Sequence, residues 1–256
     1  MAISSTGEDR FDMGRVINRA FAVIGRNIVL FLGLALLLSA LPGVLFQFLI
    51  DLKRTAVPAD NYLILLVSVL VNSAFTYILV AALSYAMISD LNDERPTFGK
   101  AIGVGLRYAL PLFLLAIISL LGIYAGLLLL IVPGIILAMM WSVAAPAMVT
   151  EHLGIIASLG RSRALTKGSR WPIFGLLLVA GIVLFVPLLI TPLLTGALGS
   201  AQPAPMLPRF GVGTVIQALL GAGASVILNA ILAAIYVELR TIKEGASTET
   251  LANIFA

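Results

Sequence analysis

The chain lacks cysteine altogether and has a single histidine, His152. Without cysteine there are no disulfide bonds, no thiolate chemistry and no cysteine-based metal sites. Charged residues are also scarce, at 11% of 256 residues, whereas soluble domains carry roughly 25%. Because 61% of the residues are hydrophobic, there are too few polar side chains to cover a surface in water. The composition therefore predicts an integral membrane protein.

Acidic residues are missing from the middle of the long apolar runs. Asp51, Asp90, Glu151 and Glu238 all stand at the ends of such runs, where water and headgroups are expected to solvate them. An intramembrane proton relay or catalytic pair needs ionisable groups inside the runs. We therefore predict no catalytic residue and no cofactor, and interpret Glu151 beside His152 as an interfacial pair. A membrane-embedded enzyme of lipid metabolism that uses Glu151 and Glu238 is the alternative.

One acidic loop has the composition of a cation site. The stretch "DLNDERP" holds Asp90, Asp93 and Glu94 within five residues. Carboxylate oxygens of this kind can bind a divalent cation. A solvated acidic loop that ends in proline is the simpler interpretation, so no metal site is predicted.

Long apolar runs supply the transmembrane helices. About 20 apolar residues, at 1.5 Å each, cross the hydrocarbon core. Four runs meet this length directly: 28–50, 62–89, 171–197 and 212–239. A fifth run, 109–150, is about twice too long for one crossing. Pro133 and Gly134 interrupt it, so we predict a turn at this pair between spans at about 110–131 and 134–150.

Amides and prolines inside the spans suggest an alternative function. Asn72, Gln217 and Asn229 lie in mid-span, and Pro187 and Pro192 are expected to kink or break the fifth span. Amides can line a polar cavity, and broken helices can mark transporter sites. A transporter or channel for a small or amphipathic solute is therefore a second alternative. Hydrogen bonding between helices is the simpler role for the amides.

Lysine and arginine are distributed unevenly between the two ends of the predicted spans. With a cytoplasmic N-terminus, thirteen of the 16 basic residues fall in cytoplasmic segments, and only Lys53, Arg54 and Arg209 lie outside. Segments rich in lysine and arginine stay in the cytoplasm. We therefore predict a multi-pass protein of a bacterial cytoplasmic (inner) membrane with both termini in the cytoplasm.

Short basic segments precede the first, third and fifth spans. In 12–26 and again in 155–170, the cations recur at helical spacing opposite an apolar face, whereas 98–107 shows the pattern weakly. Each segment is predicted to be an amphipathic surface helix in front of a helical hairpin. The fold class is thus an all-α membrane protein with six transmembrane helices as three hairpins. The whole chain, 1–256, forms one membrane domain with repeat-like units at about 10–90, 98–150 and 154–243.

The cations of the surface helices are the strongest functional feature. They are predicted to face lipid headgroups: Arg15, Arg19, Arg26, Arg163, Lys167 and Arg170. A basic residue near an anionic leaflet contributes about 1 kcal/mol. The alternative is that positive charge only fixes the topology of the chain, which needs no amphipathic spacing.

The stretch "LLLLIVPGIILAMMWSVAAPAMVTEHLGIIASLGRSRALTKGSRWPIFGLLLV" resembles the YciC-type bacterial inner-membrane proteins. It also resembles the related membrane domain of some glycerophosphodiester phosphodiesterases. The matching residues are Pro133, Gly134, Trp141, Pro146, Glu151, Arg161, Ser162, Leu165, Thr166, Gly168 and Trp171, and the ending "YVELRTIKEG" is similar too. The resemblance implies a six-span helical protein that associates with membrane lipid, without a soluble hydrolase domain.

The resulting hypothesis is a non-enzymatic membrane protein with a role in membrane or envelope organisation. Its expected partners are membrane lipids with anionic headgroups, or a cytoplasmic protein. A second copy of the chain or another membrane protein is a further candidate partner. No nucleic-acid partner is predicted.

Overall fold

The computed structural model describes residues 11–54, 62–199 and 211–245, and every regular element among them is helical. Ten α-helices and two π-helical segments follow one another along these ranges. The α-helices are α1 Met13–Arg26, α2 Ile28–Ala35, α3 Leu41–Arg54, α4 Tyr62–Leu91, α5 Phe98–Leu129, α6 Ile131–Trp141, α7 Ala144–Thr150, α8 Ile155–Thr166, α9 Arg170–Gly199 and α10 Val212–Arg240. The π-helical segments are Leu36–Ala40 and Thr241–Gly245.

Among the residues that the structure describes, six helical stretches are long and apolar enough to cross a membrane, which confirms the predicted number of spans. They are Ile28–Asp51, Leu66–Leu91, Phe98–Leu129, Ile131–Glu151, Arg170–Thr191 and Val212–Glu244. The protein is therefore a multi-pass membrane protein. The second, fourth and sixth spans end on the same side of the bundle from which the other three begin. We call this side the charged end.

The best-packed part of the bundle lies toward the charged end. Helix α10 packs against α1, α4 and α9. Its last third, from Asn229 to Leu239, is almost continuously buried, as is the last third of α4 from Leu79 to Asp90. In contrast, leucine, isoleucine and valine side chains in 114–132 and 178–190 are largely exposed. In a membrane protein these are the side chains that contact acyl chains.

The turn between the third and fourth spans lies three residues before the predicted pair. Leu130 is the only residue between α5 and α6, and its backbone is extended (φ −162°, ψ 146°). Pro133 lies in the first turn of α6, where a helix has no partner for a backbone N–H. Gly134 instead allows contact between the helices, because a Cβ there would lie 2.4 Å from Cγ of Leu127. The prediction of two spans was right and the position of the turn was wrong.

The fourth span is interrupted near the charged end. Its two helices, α6 and α7, are separated by Ser142 and Val143. The carbonyl of Met140 accepts a hydrogen bond of 2.6 Å from the hydroxyl of Ser162 on α8. Ser162 is completely buried, so this bond supplies a donor to a backbone group that water cannot reach. Helix α8 is thereby attached to the interrupted span.

The first span contains a π-helical turn for which Pro42 gives a reason. Proline has no N–H to donate to the carbonyl of Leu38, four residues earlier. At the end of the segment Leu36–Ala40, the N–H of Leu41 donates to the carbonyl of Leu36, five residues back. One extra residue is thus accommodated within an otherwise continuous span. Such π-bulges often lie at functional sites.

Two sequence-based expectations about helix boundaries differ from the structure. No separate helix precedes the third span, because 98–107 forms the start of the 32-residue helix α5. Helix α9 continues through Pro187 and Pro192 without a break. Pro192 cannot donate to the carbonyl of Leu188, and the amide of Gln217 on α10 donates to it at 3.1 Å instead. The mid-span amide Gln217 therefore replaces a missing backbone hydrogen bond of α9 instead of lining a cavity.

A candidate functional site at the charged end

Buried acids at the charged end are paired with arginines from neighbouring helices. Glu238, near the end of α10, is only 2% exposed. Arg15 donates to its Oε1 from Nε and Nη2, at 2.9 and 2.7 Å, and Arg19 donates to Oε2 from Nη1 at 2.8 Å. Both oxygens of a carboxylate removed from water are thus held by cations. Predicted solvation of Glu238 at the membrane surface was therefore wrong.

Helix α1 is positioned for these contacts by its sequence. Asp12 caps its N-terminus by accepting hydrogen bonds from the N–H groups of Gly14 and Arg15. Val16, Ala20 and Val23 recur at helical spacing and are buried in the core that α10 also forms. The adjoining stripe of the same helix, which includes Arg15 and Arg19, then lies beside Glu238. The helix is packed on the bundle and does not merely rest on a lipid surface.

A second acid, Asp90 at the end of α4, has an equivalent arrangement. Arg26 donates to its Oδ2 from Nε at 3.0 Å and from Nη2 at 2.6 Å. Asn27 donates from its amide to Oδ1 at 2.6 Å. Among the described residues there is also no group of three or more histidines, cysteines or acids placed to hold a metal ion. Asp90 therefore serves as the anchor for the junction between α1 and α2.

The third acid, Glu151 at the end of α7, belongs to a larger network. Arg161 on α8 donates from Nε to both oxygens of Glu151, at 2.9 and 2.8 Å, and from Nη2 to Glu244. Tyr236 donates its hydroxyl to Oε1 of Glu151 at 2.8 Å, and Arg240 donates to Glu244 at 2.9 Å. Partial burial acts to lower the pKa of Arg161, but the hydrogen bonds to Glu244 and Glu151 outweigh it and raise that pKa. Arg161 is consequently a permanent cation between two acids.

We call these groups the ionic layer: Arg15, Arg19, Arg26, Asn27, Asp90, Glu151, Arg161, Tyr236, Glu238, Arg240 and Glu244. It joins the ends of three spans to the helices that precede two others. The partners of one carboxylate lie up to 223 residues away in the chain. Each buried acid accepts hydrogen bonds from arginine or tyrosine donors, so the ionic layer holds neighbouring helices together.

Glu151, His152 and Glu238 have different hydrogen-bond partners. Nδ1 of His152 forms a hydrogen bond of 2.7 Å with the hydroxyl of Tyr108 on α5. The backbone of His152 has a left-handed φ of 52°. Glu151 and Glu238 each have the separate partners described above. No hydrogen bond or ion pair joins Glu151, His152 and Glu238 to one another.

The outer face of α8 differs from the ionic layer. Arg163 and Lys167 are exposed and form no ion pair with a described residue. Ile156, at 71% exposure, is two helical turns earlier on the same face, instead of on a separate apolar side as predicted. Trp171, at the start of α9, is 74% exposed. The outer face of α8 and the start of α9 thus expose two cations and two large apolar side chains.

Arg170 is neither paired with an acid in the ionic layer nor fully exposed like Arg163 and Lys167. It begins α9 and is half-buried, and its Nε has no hydrogen-bond partner among the described residues. The preceding turn contains Gly168, whose φ of 96° is one that residues with a side chain rarely adopt. The turn directs the chain from α8 into the fifth span.

Residues of the sequence resemblance have structural roles in this region. Trp141 packs its ring on Gly122 of α5, where a Cβ would come within 2.5 Å of the ring. Pro146 is buried in α7, and its carbonyl accepts the hydroxyl of Thr150. Glu151, Arg161 and Ser162 make the contacts given above. Trp171 is the exception, since its ring is mostly exposed.

The sequence missed the partners of the acids, although one signal was available. Tyr236 stands two residues before Glu238, and Asn27 follows Arg26 directly. Buried carboxylates require donors, so a tyrosine or an asparagine next to a span-end charge is a candidate. Which acid each would meet depends on contacts between helices that are distant in sequence.

A family model matches residues 27–239, from the junction after α1 to the last turn of α10. The chain belongs to the family DUF7847, a domain of unknown function. The DUF7847 match includes Asp90, Glu151, Arg161 and Glu238 of the ionic layer, whereas Arg15 and Arg19 lie before it. No curated protein and no solved structure matches the chain significantly.

Proposed function

We propose that this DUF7847 protein is a non-enzymatic protein of a bacterial cytoplasmic membrane that binds anionic lipid headgroups at the outer face of α8. The charged end is proposed to face the cytoplasm, together with both termini. Its role would be in membrane or envelope organisation, in keeping with the resemblance to YciC-type proteins.

The observation that carries the proposal is the exposure of Arg163 and Lys167. The ionic layer uses other arginines to neutralise its acids, whereas these two cations have no acid partner among the described residues. Cations beside a cytoplasmic leaflet attract phosphatidylserine- or phosphatidylglycerol-type headgroups at about 1 kcal/mol each. An unpaired, exposed pair on a membrane protein is therefore suited to an anionic bilayer surface.

Two apolar side chains favour lipid over an acidic cytoplasmic protein as the partner. Ile156, on the same face of α8 as Arg163, and Trp171, four residues after Lys167, are both exposed. Tryptophan is enriched at the interface between headgroups and acyl chains, where its ring is partly in water. Helix α1 also exposes large apolar side chains, because Met13, Ile17 and Phe21 lie on the side opposite its arginines.

The alternatives have weaker support. An enzyme would need reactive groups in one cleft, and the span-end acids have separate arginine partners. A transporter would need mid-span polar groups that face a cavity. Gln217 donates to the carbonyl of Leu188, and Asn229 donates to that of Ser225.

The test is lipid binding by the full chain reconstituted in nanodiscs of phosphatidylcholine with and without phosphatidylglycerol. The variant R163Q/K167Q is expected to lose roughly 30-fold in preference for phosphatidylglycerol at low salt, since about 2 kcal/mol is lost. The difference should shrink as salt screens the charges. The matched control is R95Q/K100Q, which removes two exposed cations, one from the loop before the third span and one from the first turn of α5.

Equal losses in both double variants would show that only total charge matters, and the α8 proposal would be wrong. No loss in either variant would contradict it as well. Orientation has a separate test, because the chain has no cysteine. A single cysteine in place of Arg95 should react with a membrane-impermeant reagent only from the cytoplasmic side, and one in place of Ala59, outside the described residues, only from the opposite side.

A further inference from the structure

The first span carries an apolar groove on its surface. The groove has a volume of about 780 Å³ and runs along one helical face from Gly33 to Phe48. Its lining includes Leu37, Ala40, Leu41 and Val44. Cavities of about 300–1,000 Å³ are the size that holds small-molecule ligands. The groove passes the π-helical segment Leu36–Ala40, so it lies beside the irregular part of this span.

A second cavity, which we call the Arg26 cavity, adjoins the groove at the charged end. This cavity of about 580 Å³ is lined by Arg26, Asn27, residues 28–30 and Phe98. Gly33 lines both cavities, so the two meet at this residue. A Cβ at Gly33 would lie 3.6 Å from the ring of Phe98, in ordinary contact. A side chain longer than alanine at this position would therefore occupy the place where the Arg26 cavity meets the groove.

The Arg26 guanidinium is fixed by Asp90 and has further N–H groups that Asp90 does not hold. Its Nε and Nη2 both donate to Asp90, and its Nη1 makes no hydrogen bond to a described residue. Although paired, its side chain is 54% exposed. A guanidinium fixed by a carboxylate on one edge presents its remaining N–H groups in a set direction, and phosphate oxygens match that geometry. The Arg26 cavity is therefore suited to a phosphate group at its Arg26 end.

The length of the groove indicates the shape of the ligand. From Gly33 to Phe48 a helix rises about 22 Å, and the hydrocarbon core of a bilayer is about 30 Å thick. The groove thus begins near the headgroups and extends past the middle of the membrane. A ligand with a phosphate at one end and a long apolar chain fits this space, whereas a water-soluble metabolite would leave most of it unfilled.

We propose that this space binds one phospholipid, with its phosphate at Arg26 and Asn27 and an acyl chain along the groove. The site uses none of the residues of the α8 surface, so it is independent of the function proposed above. A second copy of the chain is the competing occupant of an apolar face in a membrane. Arg26 favours lipid, because an apolar helix packed on the groove would offer no acceptor to the N–H groups of Arg26 that Asp90 does not hold.

The experiment is native mass spectrometry of the full chain released from detergent, with phosphatidylglycerol and with diacylglycerol of the same acyl chains as probes. The wild type is expected to retain one phosphatidylglycerol molecule and little diacylglycerol. G33L should reduce the retained phosphatidylglycerol at least tenfold by filling the place where the Arg26 cavity meets the groove. The matched control is G43L in the same span. Gly43 does not line the groove, and nothing lies within 4 Å of the position of a Cβ there.

Identical retention in the wild type, G33L and G43L would overturn the proposal, as would a dimer without bound lipid. A second variant tests the phosphate position without leaving Asp90 unpaired. R26Q/D90N removes both charges, and it should retain phosphatidylglycerol no better than diacylglycerol while its circular dichroism stays that of the wild type. An unchanged preference would place the phosphate elsewhere. R163Q/K167Q should keep this tightly held lipid whatever its effect on bilayer preference.

Discussion

Helices α1 and α8 have similar sequences in one respect and different positions in the structure. Both are short, basic and followed by a span, and both were predicted to turn their cations to headgroups. In α1, Arg15 and Arg19 reach the buried Glu238. In α8, Arg163 and Lys167 remain exposed. A basic helical face in a membrane protein therefore has two uses, and the position of buried acids decides between them.

Helix α8 contains both uses within three residues. Arg161 lies between Glu151 and Glu244, whereas Arg163 is 200° further around the helix and exposed. The same helix is attached by Ser162 to the carbonyl of Met140. One side of α8 thus holds the bundle together while the other is free to contact a lipid surface.

The largest expected effect separates the arginines of α1 from the outer cations of α8. R15Q/R19Q leaves Glu238 buried without a cation, and breaking such a pair costs about 3–5 kcal/mol. R163Q/K167Q should change the free energy of unfolding by no more than about 0.5 kcal/mol. Unfolding in mixed detergent micelles, followed by circular dichroism during addition of dodecyl sulfate, measures both.

Adding E238Q to R15Q/R19Q is the control, because it removes the buried charge that the arginines neutralise. Most of the lost stability should return in this triple variant. If R15Q/R19Q were as stable as R163Q/K167Q, the contrast between the two helices would have no energetic basis.

An intermediate effect is expected from the two arginines within α8. R161Q removes the hydrogen bonds to Glu151 and Glu244, and bonds to charged groups contribute about 1.5–3 kcal/mol. R163Q, two residues later, removes the same charge from the exposed side and should be nearly neutral. The unfolding midpoints of the two single variants give the comparison, and equal midpoints would mean that α8 is only a surface helix.

The smallest effect concerns the attachment of α8 through Ser162. S162A leaves the carbonyl of Met140 without its side-chain donor, at a cost of about 1 kcal/mol. The control is G160A on the exposed side, where nothing lies within 4 Å of the added Cβ. Alanine favours a helix over glycine by up to about 1 kcal/mol, so G160A should be neutral or stabilising. A destabilised G160A with an unaffected S162A would reverse the assignment of the two faces.

Features that depend on local sequence were predicted well. The number of spans followed from apolar runs, and the existence of a turn between the third and fourth spans followed from their combined length. Its position was wrong because proline is also accepted in the first turn of a helix, where α6 places Pro133. Pro187 and Pro192 were expected to interrupt α9, but the helix is continuous. The amide of Gln217 donates to the carbonyl of Leu188, which Pro192 leaves without its helical donor, and the hydroxyl of Thr191 donates to the carbonyl of Pro187.

The ionic layer was not predicted, and the reason is the separation of its members along the chain. Span-end acids were expected to be solvated, because a sequence shows their position along a helix and not their depth in the bundle. Asp90 and Glu238 are buried because α1 packs over the ends of α4 and α10. The threefold repeat and the headgroup contacts of Arg163, Lys167 and Arg170 stay predictions.

By itself the sequence determined that this protein is helical, crosses a membrane six times and collects its basic residues at one end. These properties follow from hydropathy and charge, which act over a few helical turns. Only the tertiary structure decided which cations neutralise buried acids and which stay exposed. The physical reason is that Coulomb and hydrogen-bond energies act over a few ångströms in space, and residues as far apart as Arg15 and Glu238 come that close only after the helices have packed.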